Sequence, residues 1–419
     1  MSKIVSREGT GTSVSRGQQK RLGADDIFDK TFSFTRVDEA LAAGVYPYFK
    51  PITEQRGGAV TVNGREMVIT GSNDYLGLSQ DPRLKEAASA VFDSYATSCT
   101  GSRFLTGTLT LHEELERRLA DFLGAEAVLT FSTGFLGCLS VLAALTGRQD
   151  ILYFDRENHA SLYDGARLAF GTLRKYRHSD VDDLERLLAR DADKPGGRMI
   201  VTDGVFSMSG HMADLPAIIR IARKYGARVV VDDAHATGVL GKGGRGTAEH
   251  FGLQDEVDLI VGTFSKAFAS VGGFVSGPRA VINYIKHHAR PFIFTAAPTA
   301  MQVAVTLKAL DIMATEPHHR ETLLENAARL RLGMTSLGFD TLGSQTQIVP
   351  VVIGPDERTV IFWKALWDAG IFATPALPPG VPASKGLIRT SVNANHTPEQ
   401  VDCLLEAFAM VGKRLGIVG

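Results

Sequence analysis

Between residues 111 and 263 the apolar positions fall into two kinds of run that alternate along the chain. Leu111, Leu115, Leu119 and Phe122 keep the spacing of one helix face, and Gly124 follows as a stop. Compact apolar runs at Ala127–Phe131, 151–154, 199–202, Arg228–Asp232 and Leu259–Thr263 predict strands, with helices over Gly134–Leu145 and Leu215–Tyr225. Strands that are apolar on both faces must be covered on both faces. Their alternation with helices therefore implies an α/β fold built on a mostly parallel sheet.

The pattern changes on either side of this region. Residues 1 to about 23 are rich in Ser, Gly, Arg and Gln and read as a flexible tail, with order expected from about Asp25. A short helix is predicted over 28–41, an aromatic stretch at 45–49 is suited to packing on a partner surface, and a strand pair follows at Ala59–Val62 and 66–70. Beyond residue 300 come helices over 301–314 and 320–337 and strands near 348–353 and Gly386–Ser391. A last helix opens on Thr397-Pro398-Glu399-Gln400, a capping box with proline at the first position. The expected division is a tail and arm at 1–55, a large domain at 56–300 and a smaller α+β domain at 301–419, without internal repeats.

Composition narrows the function. With 45 basic against 46 acidic residues there is no global field to attract nucleic acid or an anionic membrane, so specificity has to come from a local site. The 3 cysteines, Cys99, Cys138 and Cys403, are scattered, which argues against a disulfide framework and a thiolate metal site; no metal is expected and a reducing cytoplasm fits. The start leads into polar sequence and no run of about 18 apolar residues could span a bilayer, so any membrane contact is expected to be peripheral.

In open α/β sheets ligands sit beyond the carboxyl ends of the strands, which is where reactive residues should be sought. Lys266 ends one apolar run, before Gly272-Gly273, and Asp232 ends another behind successive valines. A lysine there is a poor core residue but suits pyridoxal phosphate, which needs an amine for its aldehyde and an anion to keep its ring nitrogen protonated. Burying Asp232 would be costly without a cationic partner, which a pyridinium supplies. Residues 131–135 lead a strand into a helix, where free N–H groups and the helix dipole favour a phosphate, although an ordinary capped start reads the same way. His159 follows a strand and could stack on a planar ring or serve the core. Thr263 and Ser265 add hydroxyls beside a lysine whose desolvation would lower its pKa and fit it to act as a base. Residues 241–246 match the letter of a dinucleotide fingerprint but lack its strand and helix, so a turn is expected. His287-His288 and His318-His319 are adjacent on predicted helices and should diverge rather than chelate.

With those residues in place the chain, from about residue 25 to its end, resembles the α-oxoamine synthases. These are fold-type I pyridoxal-phosphate enzymes of the aspartate aminotransferase-like fold, and the likeness is greatest to the bacterial serine palmitoyltransferases. It is carried by residues 71–78, 101–108 with His112, 131–135, 158–161, 203–208, 232–235, 262–266 and 294–296. The resemblance implies that Lys266 bonds the cofactor aldehyde, Asp232 pairs with the ring nitrogen, and His159 stacks over the ring. It further implies that His235 and Ser207 lie near the phenolic oxygen, that Gly134 and Phe135 give backbone donors to the phosphate, and that Thr263 and Ser265 add hydroxyls. Thr295 would reach the phosphate of a neighbouring subunit, which makes a homodimer part of the site. Arg389 would hold the amino-acid carboxylate with Asn73 as a second contact, and Ser102 and Phe104 would border the substrate.

The implied reaction is decarboxylative condensation of an amino acid, L-serine in this reading, with a long-chain acyl-CoA. The products are 3-ketodihydrosphingosine, CoA and carbon dioxide, the first step of sphingolipid synthesis. Lys266, once displaced, would remove the α-proton, while Arg389 and His159 set the orientation of the breaking bond. Phe104 offers an apolar wall that disfavours a charged acyl group, and the tract 375–382 resembles a segment near the substrate entrance or else is a stiff connector. Phe135 stands where many relatives have tyrosine, Asp203 and Asp233 replace glutamates, and His211 sits where an acidic residue is usual. Another member of the family, using glycine or alanine and a shorter thioester as in 8-amino-7-oxononanoate synthase or 2-amino-3-ketobutyrate CoA ligase, or a secondary-metabolite synthase, is the alternative. Acyl length and CoA against carrier-protein donor stay open. A DNA-binding regulator would need a helix-turn-helix domain that residues 1–55 are too few to form, and an inactive partner subunit would lack Lys266.

Overall fold

A computed structural model describes residues 26–419; the predicted tail and the onset of order at Asp25 lie outside the described residues. The described residues up to Tyr48 belong to one compact unit and Phe49–Gly419 to another. In the first, the single helix predicted over 28–41 is two short ones, Asp29–Phe32 and Arg36–Ala42. The Ser33 hydroxyl donates back to the carbonyls of Asp29 and Lys30, and the Thr35 hydroxyl bonds Glu39. Such local bonds compete with helix propagation.

In the second unit thirteen strands form two sheets: β1 (Glu54–Arg56), β2 (Ala59–Val62), β3 (Arg65–Thr70), β4 (Ala127–Phe131), β5 (Ile151–Asp155), β6 (Thr172–Tyr176), β7 (Arg198–Asp203), β8 (Arg228–Asp232), β9 (Leu259–Thr263), β10 (Gly273–Gly277), β11 (Ile348–Gly354), β12 (Ile371–Ala376) and β13 (Gly386–Ser391). The larger sheet has the order β4-β10-β9-β8-β7-β5-β6. It is parallel from β9 to β6, and β10 runs antiparallel to both β9 and β4. The parallel run forces β5, β7, β8 and β9 to end at the same edge, so Asp155, Asp203, Asp232 and Thr263 line up along it. β6 escaped the apolar pattern because it is a polar edge strand, and β10 because its apolar residues Phe274 and Val275 are bounded by Gly273 on one side and by Ser276 and Gly277 on the other.

The smaller sheet has the order β1-β2-β3-β12-β13-β11, so strands from before the large sheet join strands from the end of the chain, with β3 parallel to β12. The proline tract begins inside it, since Pro375 belongs to β12. β12 pairs with β3 only as far as Ala373, so on that side Pro375 has no partner strand for an N–H to serve, while on the other side it faces Ile388 of β13. Pro350 is tolerated likewise on edge strand β11. Separate apolar clusters serve the two sheets, one around Leu152, Phe154, Val230 and Val261 and another around Trp363, Phe362, Phe408 and Ile388. The capping box at Thr397 forms as predicted, and residues 241–246 are a turn.

Candidate active site

The strand ends and the helix Gly134–Leu145 enclose a cavity of about 250 Å³ lined by Gly134, Phe135, His159, Asp232, His235, Thr263, Ser265 and Lys266 among others. Every one of these was legible in the sequence. Thr133 caps the helix by accepting the Leu136 N–H, which leaves the N–H groups of Gly134 and Phe135 at the cavity wall. Gly134 has to lack a side chain, because a Cβ there would stand 2.8 Å from the Thr263 Cβ. Beside it the hydroxyls of Thr263 and Ser265 lie 2.9 Å apart, and Thr263 donates to the Gly272 carbonyl at 3.0 Å.

Asp232 is buried at the end of β8. Cys138 Sγ–H (3.3 Å) and the Ala234 N–H (3.0 Å) donate to its carboxylate, and among the described residues it makes no ion pair. Lys266 makes none either, and burial pulls its amine down to about 8, with the Asp232 charge opposing and Arg389 assisting. An amine near neutrality, a buried carboxylate lacking a cation and an array of N–H and hydroxyl donors form the donor set that pyridoxal phosphate requires. His159 caps the helix Ala160–Leu168: its Nδ1 accepts the Ser161 N–H and lies 2.7 Å from the Ser161 hydroxyl, while its backbone N–H donates to Asp203 Oδ1 at 3.1 Å. Asp203 is buried close to Asp232, and burial followed by that neighbouring charge pushes its carboxyl well above the usual range.

Arg389, only 6% exposed, is held by acceptors that carry no charge: the Ser207 carbonyl at Nε (2.7 Å), and Asn73 Oδ1 (3.0 Å) and the Tyr75 hydroxyl (3.2 Å) at Nη2. A buried guanidinium without a carboxylate partner is half of an ion pair, and the expected contact with Asn73 is present. Tyr75 was missed by sequence reasoning although it lies inside the motif at 71–78; only the fold brings it to His235, 2.6 Å away. Gln347, which donates to the His235 carbonyl at 2.7 Å, and Cys138 were missed because they sit in apolar or unremarkable surroundings along the chain.

Other expected residues lie elsewhere. Ser207 contributes its carbonyl to Arg389 and does not line the cavity. Thr295 lines a separate narrow cleft with Arg103, Ser132 and Pro298. Ser102 is buried and bridged to Ala296, and Phe104 is 47% exposed, edge-on to His287. Arg103, between them, is wholly structural, with Nη1 2.8 Å from Glu116. The pair His318-His319 does not diverge as predicted. It opens its helix, where the side chains are least constrained, and its donor atoms converge with Glu316 to within 4.8 Å, although Glu316 is already paired with Arg83.

A fold with this sheet edge and this lysine–aspartate site defines a pyridoxal-phosphate enzyme, and the chain belongs to the aminotransferase class I and II family, whose pattern it matches over residues 65–408. It is 45% identical to a serine palmitoyltransferase of Sphingobacterium spiritivorum over 93% of this chain and 98% of that one. It is 42% identical to an 8-amino-7-oxononanoate synthase of Thermoanaerobacter pseudethanolicus over 94% of this chain and 99% of that one. Its fold superposes with a TM-score of 0.90 on a variant serine palmitoyltransferase from S. paucimobilis with bound PLP and myriocin, at 32% identity, covering 94% of this chain and 100% of that one.

Proposed function

We propose that this chain is a pyridoxal-phosphate-dependent acyltransferase that condenses an amino acid, L-serine, with a long-chain acyl-CoA. The carboxylate is lost as carbon dioxide, CoA leaves, and the product is 3-ketodihydrosphingosine. The observation that carries the reading is Lys266 and Asp232 in one cavity, both without an ion-pair partner among the described residues. The bound cofactor supplies an electron sink for the pair left at the α-carbon by deprotonation and again by decarboxylation.

Within this reading Lys266 holds the cofactor, and Gly134, Phe135, Thr263 and Ser265 face its phosphate. Asp232 faces the ring nitrogen, and His159 covers the ring. Arg389 and Asn73 receive the substrate carboxylate, which fixes the α-C–H bond within reach of the Lys266 amine. That amine takes the α-proton. The α-carbon then bonds to the thioester carbonyl carbon, the thiolate leaves, the carboxylate departs, and a proton returns to the same carbon. His235 is held neutral by burial, followed by the nearby charges of Lys266 and Arg389, and Tyr75 occupies its Nδ1; its Nε2–H is a donor toward the cavity.

A homodimer with shared sites is part of the proposal. Thr295 lies outside the cavity of its own chain, and Phe104, Leu105 and Phe294 (72% exposed) stand on segments joined by the Ser102–Ala296 bridge. An exposed apolar cluster of this kind suits a partner surface. The proposed organisation is a large domain at 56–300 and a smaller one at 301–419, with β1–β3 lent to the smaller domain's sheet. No helix among the described residues is long and apolar enough to cross a membrane, and we assign the enzyme to the cytoplasm, where acyl-CoA is available.

The 42% likeness to 8-amino-7-oxononanoate synthase supports a second reading with another amino acid and a shorter acyl group. Spectral titration of the holoenzyme with serine, glycine and alanine, then carbon dioxide release with thioesters of increasing length, separates the two. Serine with C16-CoA is the expected best pair. Glycine or alanine with a shorter thioester would establish the second reading.

A further inference from the structure

Beyond the cavity, a chain of hydrogen bonds runs from the end of β5 to the segment before β11. Asp155 Oδ1 is 2.9 Å from His178 Nδ1, His178 Nε2 is 2.8 Å from His211 Nδ1, and His211 Nε2 is 2.7 Å from the Leu342 carbonyl. A carbonyl only accepts, so His211 Nε2 must carry hydrogen, and a carboxylate only accepts, so His178 Nδ1 must too. The central contact needs one further hydrogen, on His178 Nε2 or on His211 Nδ1. All bonds can therefore be made only when the pair holds one proton more than two neutral imidazoles.

Both flanking backbones are built for this. Ser179 and Leu342 sit at φ 53° and 56°, a region non-glycine residues rarely occupy, with the Ser179 N–H donating to Asp155 Oδ2 (2.8 Å) and the Leu342 N–H to Asp340 (2.8 Å). His211 closes the turn 207–211, whose Gly210 carbonyl accepts from Thr346 at 3.0 Å and whose first carbonyl, that of Ser207, holds Arg389 Nε. At Gly210 a Cβ would collide with the Ile348 carbonyl, so the turn is seated against this segment without slack.

We propose that His178 and His211 are positioning residues: sharing one extra proton, they pin the 207–211 turn and so hold Arg389 in place for the substrate carboxylate. This rests on the reading of Arg389 given above. The charged groups that bear on the pair are Asp155 and Glu157 (Oε2 3.4 Å from His178) from the end of β5, with Asp203 behind Asp155 and Asp340 beside Leu342. The bonds to Asp155 and the charges of Asp155 and Glu157 raise the pKa of His178 against the opposing effect of its burial, which is the largest single influence. The extra proton is thus present at low pH and lost as pH rises through that raised value.

The test is the dissociation constant of L-serine, or of whichever of glycine and alanine perturbs the spectrum, read from cofactor absorbance of the holoenzyme between pH 6 and 9. His178→Gln and His211→Gln are each compared with the unsubstituted enzyme as a ratio at each pH, so that titration of the substrate amine and of Lys266 cancels. Glutamine at 211 can accept from His178 and donate to Leu342, keeping the donor order, and its ratio should stay near one. Glutamine at 178 spends its amide hydrogens on Asp155 and turns its oxygen to His211 Nδ1, two acceptors unless the extra proton moves to His211, away from the Asp155 charge that favours it; its ratio should be about tenfold at pH 6, falling toward one at pH 9, the scale of one charge-assisted bond. A His178→Gln ratio that is flat with pH, or near one throughout, overturns the inference. Failure of Arg389→Gln to weaken binding overturns instead the carboxylate reading beneath it.

Discussion

Tyr75 Oη lies 2.6 Å from His235 Nδ1, and the same oxygen accepts from Arg389 Nη2 at 3.2 Å. Arginine can only donate, so the tyrosine hydrogen goes to an acceptor, and His235 Nδ1 is nearer than Asn73 Oδ1 at 3.2 Å; one phenol thus couples the residue that would meet the substrate carboxylate to a histidine on the cavity wall. Burial raises the Tyr75 pKa, against the Arg389 charge, so the hydroxyl stays protonated. Tyr75→Phe should raise the dissociation constant for the amino acid roughly tenfold, the value of a bond to a charged group, while the cofactor stays bound. Spectral titration with serine checks it.

The Lys266 amine, brought from 10.5 to about 8 first by burial, sets a pH signature. The neutral amine attacks an aldehyde, so reconstitution of apoenzyme with pyridoxal phosphate should accelerate up to about pH 8 and then level, where an ordinary lysine would continue to gain. Between about 8 and 10.5 the folded chain has lost a proton that the unfolded one keeps, so the destabilisation due to Lys266 is full below about 8 and fades as pH rises. Lys266→Met apoenzyme should melt higher than the unsubstituted apoenzyme at pH 7, with the difference shrinking toward pH 10, and should never turn yellow with cofactor.

Asp233 is fully buried, and its carboxylate accepts from the Thr247 hydroxyl (2.5 Å) and N–H (2.8 Å). Burial outweighs these bonds and pushes its pKa from 3.8 to about 6. The folded state therefore holds a proton that the unfolded chain has released between those values, and the stability this contributes is full below 3.8 and lost as pH rises through about 6. Melting temperatures should fall relative to those of Asp233→Asn between pH 4 and 7, then run parallel above. Parallel behaviour throughout would show that Asp233 titrates normally.

Buried Arg103 pairs with half-buried Glu116 at 2.8 Å, and Glu116 Oε1 also accepts from the Thr130 N–H and hydroxyl at 2.9 Å each. Arg103→Met strands that carboxylate and should cost about 3–5 kcal/mol in urea unfolding. Adding Glu116→Gln retains an acceptor for Thr130 without the charge, and should recover most of the loss.

The alternation of apolar strands and helices, the capped helix starts and the residues at the strand ends were readable along the chain, because burial on both faces of a parallel sheet leaves a local mark and ligands collect where such strands stop. That is why Lys266, Asp232, His159, Gly134 and Thr263 could be named from their own neighbourhoods, and why they do share one cavity. Polar edge strand β6 and glycine-bounded β10 left no such mark, and the split of the first helix turned on the side-chain bonds of Ser33 and Thr35. What only the tertiary structure decided was pairing across long separations: β3 beside β12, Tyr75 on His235, Arg389 on the Ser207 carbonyl, His178 on His211. No local pattern encodes such partners. They follow from how the two sheets fold against one another, which depends on the whole chain at once.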